Sequence, residues 1–444
     1  PDRALAAGVI AELQRWDITI DDSAGQPLSS KPAGMFLQLL ANAAAQDFAP
    51  VPLLALLKHP LTASGMEPSA FRQMIGVLER SVLRGYRPQS GLNGIADYIA
   101  EKAKKADHHR RAPAYDSDQL IAFVNAHLIA PLADLIRVWN SPAPSYADLS
   151  MALALAGERL AARQMNDEGG HDSGDGALHL WQHADGEAAS QLMKDLAEHG
   201  HGTAVDPDEF PQILAQLLAA KTVRGKWPLH QRLSVLGPVE ARMQSADRLI
   251  IAGFNEGHWP PQQDSDPWMN GTMRDAVGLP ARNWRSGLSA HDIYMASCGK
   301  DVIITRSLRE NDAPTTPSRW LQRLTTVMKA LQVESALERG EKRLAWRQML
   351  EPDHGHKPVG RPVPKPPINV RPRQFSATEI DRWIDDPYAI YARRILNLRR
   401  LDELDPPPDA ALRGTLVHDA LAAFIADFPA GPLPANALEE LIAR

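Results

Sequence analysis

Cysteine is almost absent from this 444-residue chain, where Cys298 stands alone. One thiol cannot make an internal disulfide, an all-cysteine zinc site or a four-cysteine iron–sulfur cluster. A reducing compartment follows as the expectation, and the localisation read from it is cytoplasmic. Long hydrophobic runs are missing too. No stretch of purely apolar sequence approaches the ~20 residues that span a bilayer, so no membrane partner is expected. Positive charge is not in excess: the formal net charge of -6 provides no global field for nucleic acid, and any DNA contact must come from local basic patches. The first residue is Pro1, and no charged segment followed by an apolar one marks a secretory signal. The sequence therefore reads as a piece of a longer protein.

What is present is ordinary for a globular chain, with 44% hydrophobic and 23% charged residues. Its length allows about two to three domains. Apolar residues at helical spacing (Leu5, Val9, Leu13) followed by the alternating "ITI" predict a helix and a short strand before Asp22. Segments 33–60 and 70–83 predict amphipathic helices, and most of 84–230 is Ala/Leu-rich with the same period. Near Leu233 the character changes. "RLSVLG", "DRLIIAGF" and "KDVIITRS" are short β-rich runs that alternate with helices, the pattern of an α/β layer. The Pro-rich stretch 352–373 predicts an extended connector, and "SATE" at 376–379 has the spacing of a capping box.

Motifs for common chemistries fail on inspection. No G-x-x-x-x-G-K-[ST] phosphate loop exists, so this chain is not expected to hold ATP by itself; "VRGKWP" supplies only the Gly-Lys pair. "GLSAH" at 287–291 lacks the second glycine of a nucleophile elbow. His179 and His183, four apart, read as a solvated pair. "NDEGGHDSGDG" at 166–176 lacks ordered Ca²⁺-loop spacing and reads as a solvent-exposed loop. The basic run 101–111 reads as a solvated face that could touch DNA. "LIIAGFNEGHWPP" at 249–261 is more informative. An apolar strand enters a glycine turn, and Asn255 and Glu256 then fall at the strand's C-terminal end, where open α/β sheets bind ligands.

The string "GPVEARMQSADRLIIAGFNEGHWPPQQDSDPWM" (237–269), with "GLSAHDIYMASCGKDVIITRS" and "TPSRWLQRL" after it, resembles the B subunits of bacterial AddAB helicase–nucleases, in their alphaproteobacterial form. The beginning of the chain is similar to the start of the second motor domain of superfamily 1 helicases. "SATEIDRWIDDPYAIYARRILNLRRLDELD" with "RGTLVHDAL" resembles the opening of a RecB-type PD-(D/E)xK nuclease domain. The likeness implies a mixed α/β, mostly helical chain: a RecA-like domain 2A from residues 1–50 and 233–330, a helical 2B-type insertion at 51–232, a connector at 331–373, and the start of a nuclease domain at 374–444.

The resemblance implies a function as well: a subunit that processes DNA double-strand breaks for recombinational repair, paired with an AddA-type helicase–nuclease subunit that uses ATP, and contacting single- and double-stranded DNA. The motor half looks degenerate, because the neighbourhood of "IYMASCG" offers Cys298 and Gly299 and no arginine before Arg306. Arg242, Asn255 and Arg319 are polar candidates for DNA binding, and Trp259 and Trp268 could stack bases. In "G-x-x-x-H", His418 is expected to ligate Mg²⁺ or Mn²⁺, with Gly414 leaving room one turn away. His418 is expected at the edge of a buried stripe formed by Val417, Ala420, Leu421, Phe424 and Ile425. Other carboxylates and a lysine, which phosphodiester hydrolysis requires, have no match here, so this chain alone is not expected to cut DNA. The family's first cluster cysteine is replaced by Asp386, and no iron–sulfur cluster is expected. Asp386 instead predicts a helix cap. Two other readings stand beside this one: a non-enzymatic DNA-handling scaffold, and an active superfamily 1 helicase subunit.

Overall fold

The computed structural model describes residues 3–108, 115–164, 173–174, 176–202, 204–224, 230, 232–262, 267–281, 283–337, 340–350, 355, 358–360, 362–407, 409–428 and 437–442. The chain is mixed α/β and mostly helical, with strands of two or three residues. Two compact units emerge: Pro1–Gly25 with Arg224–Lys365, and Gln26–Val223 with Pro366–Arg444. The first boundary thus falls at Gly25/Gln26 rather than at residue 50, because the helix Pro32–Ala45 packs against helices of the second unit.

That second unit is built on one hydrophobic core. Helix 32–45 is apolar almost all round, burying Phe36, Leu37, Leu40, Ala41 and Ala43. It packs against Pro50–Leu57, Tyr146–Ala161, His183–His199 and Phe210–Ala220. Glycines permit the closest approaches. A Cβ on Gly176 would lie 1.7 Å from the carbonyl oxygen of Glu158, and one on Gly34 would lie 2.1 Å from that of Leu28. Gly176 is therefore buried against helix 146–161, not part of a solvent-exposed loop; most of 166–175 lies outside the described residues. A helical stretch, Ser117–Trp139, runs through a π-turn for 23 residues and is long and apolar enough to cross a membrane by length and composition alone. Asp118, His127, Asp134 and Arg137 interrupt its apolar run without interrupting the helix, so the absence of a purely apolar run of that length and the presence of this helix are consistent. Its stripe of Leu120, Phe123, Val124, Leu128, Leu132 and Leu135 is buried in the core.

The first unit carries the strands that matter for a site. Leu249–Ile251 pairs in parallel with Val302–Ile304, in the register Leu249↔Val302, Ile250↔Ile303, Ile251↔Ile304. Asp21–Asp22 pairs in parallel with Ser234–Val235. Helix Trp284–Ser297 connects the first pair, and helix Arg319–Ala330 follows it. A parallel pair joined by a crossover helix is the elementary α/β unit. "GLSAH" lies inside helix 284–297, where a serine cannot occupy a strand-to-helix elbow.

Capping follows the sequence closely at residues 376–390. Ser376 Oγ accepts from the Glu379 amide at 3.3 Å, while the Glu379 carboxylate accepts from the Ser376 amide at 3.0 Å. Asp386 accepts from the Ala389 amide at 3.2 Å and so starts the helix Pro387–Ile390. His179 and His183 fall on different helices, Gly176–Leu180 and His183–His199, so their spacing of four does not place them on one helical face.

Candidate functional site

The loops leaving the C-terminal ends of the parallel pair are knitted together. Phe254 donates its amide to Thr305 at 2.9 Å, Glu256 to Thr316 at 3.0 Å, and Ser318 to Phe254 at 3.1 Å. Gly253 and Gly257 adopt φ of +65° and +89°, which lets residues 252–258 turn back over the strand end. Within this turn Asn255 is 2% exposed. Its Nδ2 donates to Ser307 Oγ at 2.6 Å, and its buried Oδ1 has no hydrogen-bond partner among the described residues. Buried amides normally satisfy both ends, so an orphaned acceptor facing a loop junction is a group with spare binding capacity.

Glu256 lies beside it. Its carboxylate accepts from the Arg319 backbone amide at 3.0 Å and from Nε at 2.9 Å, and it also pairs with the terminal guanidinium nitrogen. The Arg319 side-chain hydrogen bond, opposed by partial burial, holds Glu256 below the ordinary carboxylate range, while Arg319 is raised by the same contact. Ser318 is fully buried; its hydroxyl caps helix 319–330 through the Trp320 amide and donates to the Trp259 carbonyl. Asn255, Glu256, Trp259, Ser307, Ser318 and Arg319 therefore form one polar junction at the strand ends.

The expected DNA-binding residues separate into groups. Asn255, Trp259 and Arg319 meet in this junction. Trp259 packs inward, its ring 5.9 Å from that of Phe254 and its Nε1 donating to the Ala252 carbonyl at 3.1 Å. An inward ring so held is poorly placed to receive a base, and the stacking expectation for Trp259 is corrected on that ground. Trp268 is 84% exposed. Arg242 gives its guanidinium to Asp292 in a two-point contact, 2.7 and 3.0 Å, which occupies the fork that would grip phosphate. Arg306 lies two residues beyond the second strand, with a guanidinium nitrogen 3.3 Å from the Ser307 carbonyl. In the basic run 101–111, residues 109–111 lie outside the described residues, as does most of "VRGKWP".

His418 belongs to helix Ala410–Asp427, in the second unit, and is exposed. The expected buried stripe is corrected: Phe424 is buried at 6% exposure, but Val417 and Ile425 are 52% and 63% exposed. Among the described residues, helix 437–442 packs on this helix and is too short to cover the whole stripe. Gly414 faces open space, so no backbone of the described residues makes the close approach expected there. Among the described residues, no group of three or more His, Cys, Asp or Glu side chains could hold a metal ion. Mg²⁺ takes oxygen ligands in near-octahedral geometry, and a solitary imidazole does not meet that need. The donors described in this chain do not by themselves fit the cation.

Sequence reasoning missed a second polar cluster, in the helical unit. The Glu79 carboxylate pairs with Lys58 at 2.5 Å and Arg84 at 2.6 Å. Arg84 also donates to the Asp402 carbonyl at 2.8 Å, Gly85 to the Glu403 carbonyl at 2.9 Å, and the Tyr86 hydroxyl to Asp409 Oδ1 at 2.8 Å. That oxygen accepts from the Leu412 amide at 2.8 Å and caps the helix carrying His418. Burial pushes Glu79 up, but hydrogen bonds from Lys58 and Arg84 outweigh it and leave the carboxyl below its ordinary value. No local pattern links residues 79–86 to 402–409, so only the tertiary structure could expose the contact.

No protein-family profile matches the chain. It is 21% identical over 267 residues to an uncharacterized protein of Rickettsia felis, covering 59% of this chain and 30% of that protein. Uncharacterized proteins of Rickettsia bellii and Rickettsia conorii are 20% and 19% identical, over 54% and 59% of the chain. The matched region thus spans less than a third of the length of these curated relatives.

Proposed function

We propose that this chain is part of the B subunit of an AddAB-type helicase–nuclease that prepares DNA double-strand breaks for recombination. The observation that carries the reading is the polar junction at the C-terminal ends of the parallel pair 249–251 and 302–304. There Asn255 keeps a buried acceptor unused beside the Glu256–Arg319 pair. This edge is where open α/β sheets receive ligands. Under this proposal residues 1–25 and 233–330 belong to a RecA-like domain that grips a DNA strand, with an AddA-type partner hydrolysing ATP. Residues 26–223 form the 2B-type insertion, and 374–444 open a PD-(D/E)xK nuclease domain. The working location is the cytoplasm.

Each residue has a separate assignment. Asn255 is assigned to a base or sugar that reaches its buried acceptor when the junction opens, and Arg319, which gives Glu256 the same two nitrogens that Arg242 gives Asp292, offers phosphate only its remaining amino group. Trp268 keeps the stacking assignment. His418 is proposed as one ligand of a Mg²⁺ or Mn²⁺ set completed by carboxylates outside the described residues, and no reaction step is assigned to it alone. A specific observation also favours the scaffold reading: His418 is exposed and has no carboxylate cluster around it among the described residues.

His418→Ala in the longer protein, assembled with its partner subunit, separates the two. Loss of nucleolytic degradation with retained ATP-driven unwinding supports the nuclease assignment. Unaltered degradation removes His418 from the site and leaves the scaffold.

A further inference from the structure

The sequence "LDELDPPPD" at 401–409 leads into helix 410–427, which carries His418. Three consecutive residues that follow the π-turn Glu79–Leu83 hold this segment at both ends. At the near end Arg84 Nη1 donates to the Asp402 carbonyl at 2.8 Å, and the Gly85 amide donates to the Glu403 carbonyl at 2.9 Å. Leu404 bridges to Arg84 and Gly85 and packs, partly buried, against the core cluster. At the far end the Tyr86 hydroxyl donates to Asp409 Oδ1 at 2.8 Å. The same oxygen accepts from the Leu412 amide, so the far anchor is also the helix cap.

The seat is rigid. Glu79, Val82 and Leu83 are buried in the π-turn, and Arg84 is fixed to the Glu79 carboxylate through Nε at 3.2 Å and Nη2 at 2.6 Å. Lys58, at the end of helix 50–57, holds the other oxygen of that carboxylate. Between the two anchors the sequence places Pro406, Pro407 and Pro408, and a proline run is a semi-rigid spacer rather than a slack loop. A displacement at one anchor is therefore passed to the other. Each tie is weak by itself: Tyr86 and Asp409 are exposed, and one such hydrogen bond shifts an equilibrium by roughly 2- to 13-fold. The helix enlarges any movement of its start. His418 lies nine residues beyond Asp409 (418 − 409), roughly 13 Å along the axis, so a tilt of about 10° at the first turn carries its Cα by about 2 Å.

We propose that residues 402–409 are a two-anchor strap through which the helical unit sets the pose of helix 410–427, with Arg84, Gly85 and Tyr86 as its seat. Seated, the strap fixes where the helix starts and the direction in which it leaves. Released, it frees the helix and its cap together, because Asp409 belongs to both. Arg84 and Tyr86 are thus positioning residues that act only through the strap. The strap touches the proposed function only in that His418 rides on this helix, and it requires neither a bound cation nor a nuclease activity.

Amide hydrogen exchange of the 444-residue chain, read at single residues, tests the strap. The Gly85 amide reports the near anchor and the Leu412 amide the far one. Leu404→Ala weakens the near anchor alone, and Tyr86→Phe removes the far one alone. A strap that moves as one piece makes each variant accelerate both amides by a common factor, roughly 2- to 13-fold for Tyr86→Phe, while Leu40 and Leu153 in the core keep their rates. Acceleration of Leu412 alone in Tyr86→Phe and of Gly85 alone in Leu404→Ala overturns the strap, as does no change at either amide. Tyr86→Phe, which deletes one exposed hydroxyl, keeps the test open should Leu404→Ala loosen the core. Pose is read separately, from the spin-label distance between Met151→Cys and Leu416→Cys, two exposed positions, in a Cys298→Ser background. One narrow distance is expected, and Leu404→Ala combined with Tyr86→Phe should broaden it; a distribution that stays narrow overturns the positioning. Unaltered DNA degradation in His418→Ala would remove the nuclease reading and leave the strap standing.

Discussion

At the scale of single residues, the Glu256–Arg319 pair makes the clearest pH prediction. Glu256 is held below its ordinary value of 4.5, so its stabilising contribution is complete above that pH and is lost as pH falls through the depressed folded value. Arg319→Gln should therefore destabilise the first unit more at pH 6 than at pH 3, as read by denaturant midpoints. An equal effect at both pH values would assign the pair no electrostatic role. Two glycines give opposite signs for one substitution. Gly176→Ala drives a Cβ against the Glu158 backbone and should cost about 1–3 kcal/mol or more. Gly8→Ala, inside helix 3–14 with nothing within 4 Å, should gain about 0.5–1 kcal/mol. Thermal unfolding of the two variants checks both. Sequence alone could not distinguish them, because a glycine's need for space depends on another helix far away in the chain.

Secondary-structure elements divide into those that local chemistry announces and those that it does not. The capping box at Ser376 and Glu379 and the cap at Asp386 were legible, since each requires only residues three positions apart. The strands of 249–251 and 302–304 were legible from their apolar runs, and Asn255 from its place after one of them. Helix 410–427 was legible as a helix, but its buried face was not. Periodicity shows which residues share a face, and only the presence of a neighbour decides whether that face is covered. The start of this helix is held by distant residues, because Asp409 Oδ1 accepts from both the Leu412 amide and the Tyr86 hydroxyl. Asp409→Ala should fray the first turn at a cost of about 1 kcal/mol. Tyr86→Phe removes the tether alone. Hydrogen exchange at residues 410–413 should accelerate in both variants, and more in Asp409→Ala; unchanged exchange in Tyr86→Phe would make the tether incidental.

For the whole molecule, the distribution of buried side chains predicts unequal stability. The continuous hydrophobic cluster, from Leu28 to Val223, lies entirely in the second unit. The first unit buries few large apolar residues, chiefly Ile20, Ile251 and Phe254. Its order relies more on polar ties such as Arg242–Asp292 and Glu256–Arg319, which denaturant and acid weaken readily. Tryptophans are distributed the other way: Trp16, Trp259, Trp268, Trp284, Trp320 and Trp346, six of the nine among the described residues, belong to the first unit. Most of the helix, by contrast, belongs to the second. In a urea titration, tryptophan fluorescence should therefore change at lower denaturant than far-UV circular dichroism, the sign of a transition that is not two-state. A ligand bound at the strand-end junction should raise the midpoint of the fluorescence transition selectively, by mass action on the unit that holds it. A single-stranded oligonucleotide is the probe. A shift in fluorescence alone would place the bound strand on the first unit, whereas a shift confined to circular dichroism would place it on the helical unit. Coincident transitions would show that the units unfold as one body and that their unequal cores do not set the order of unfolding.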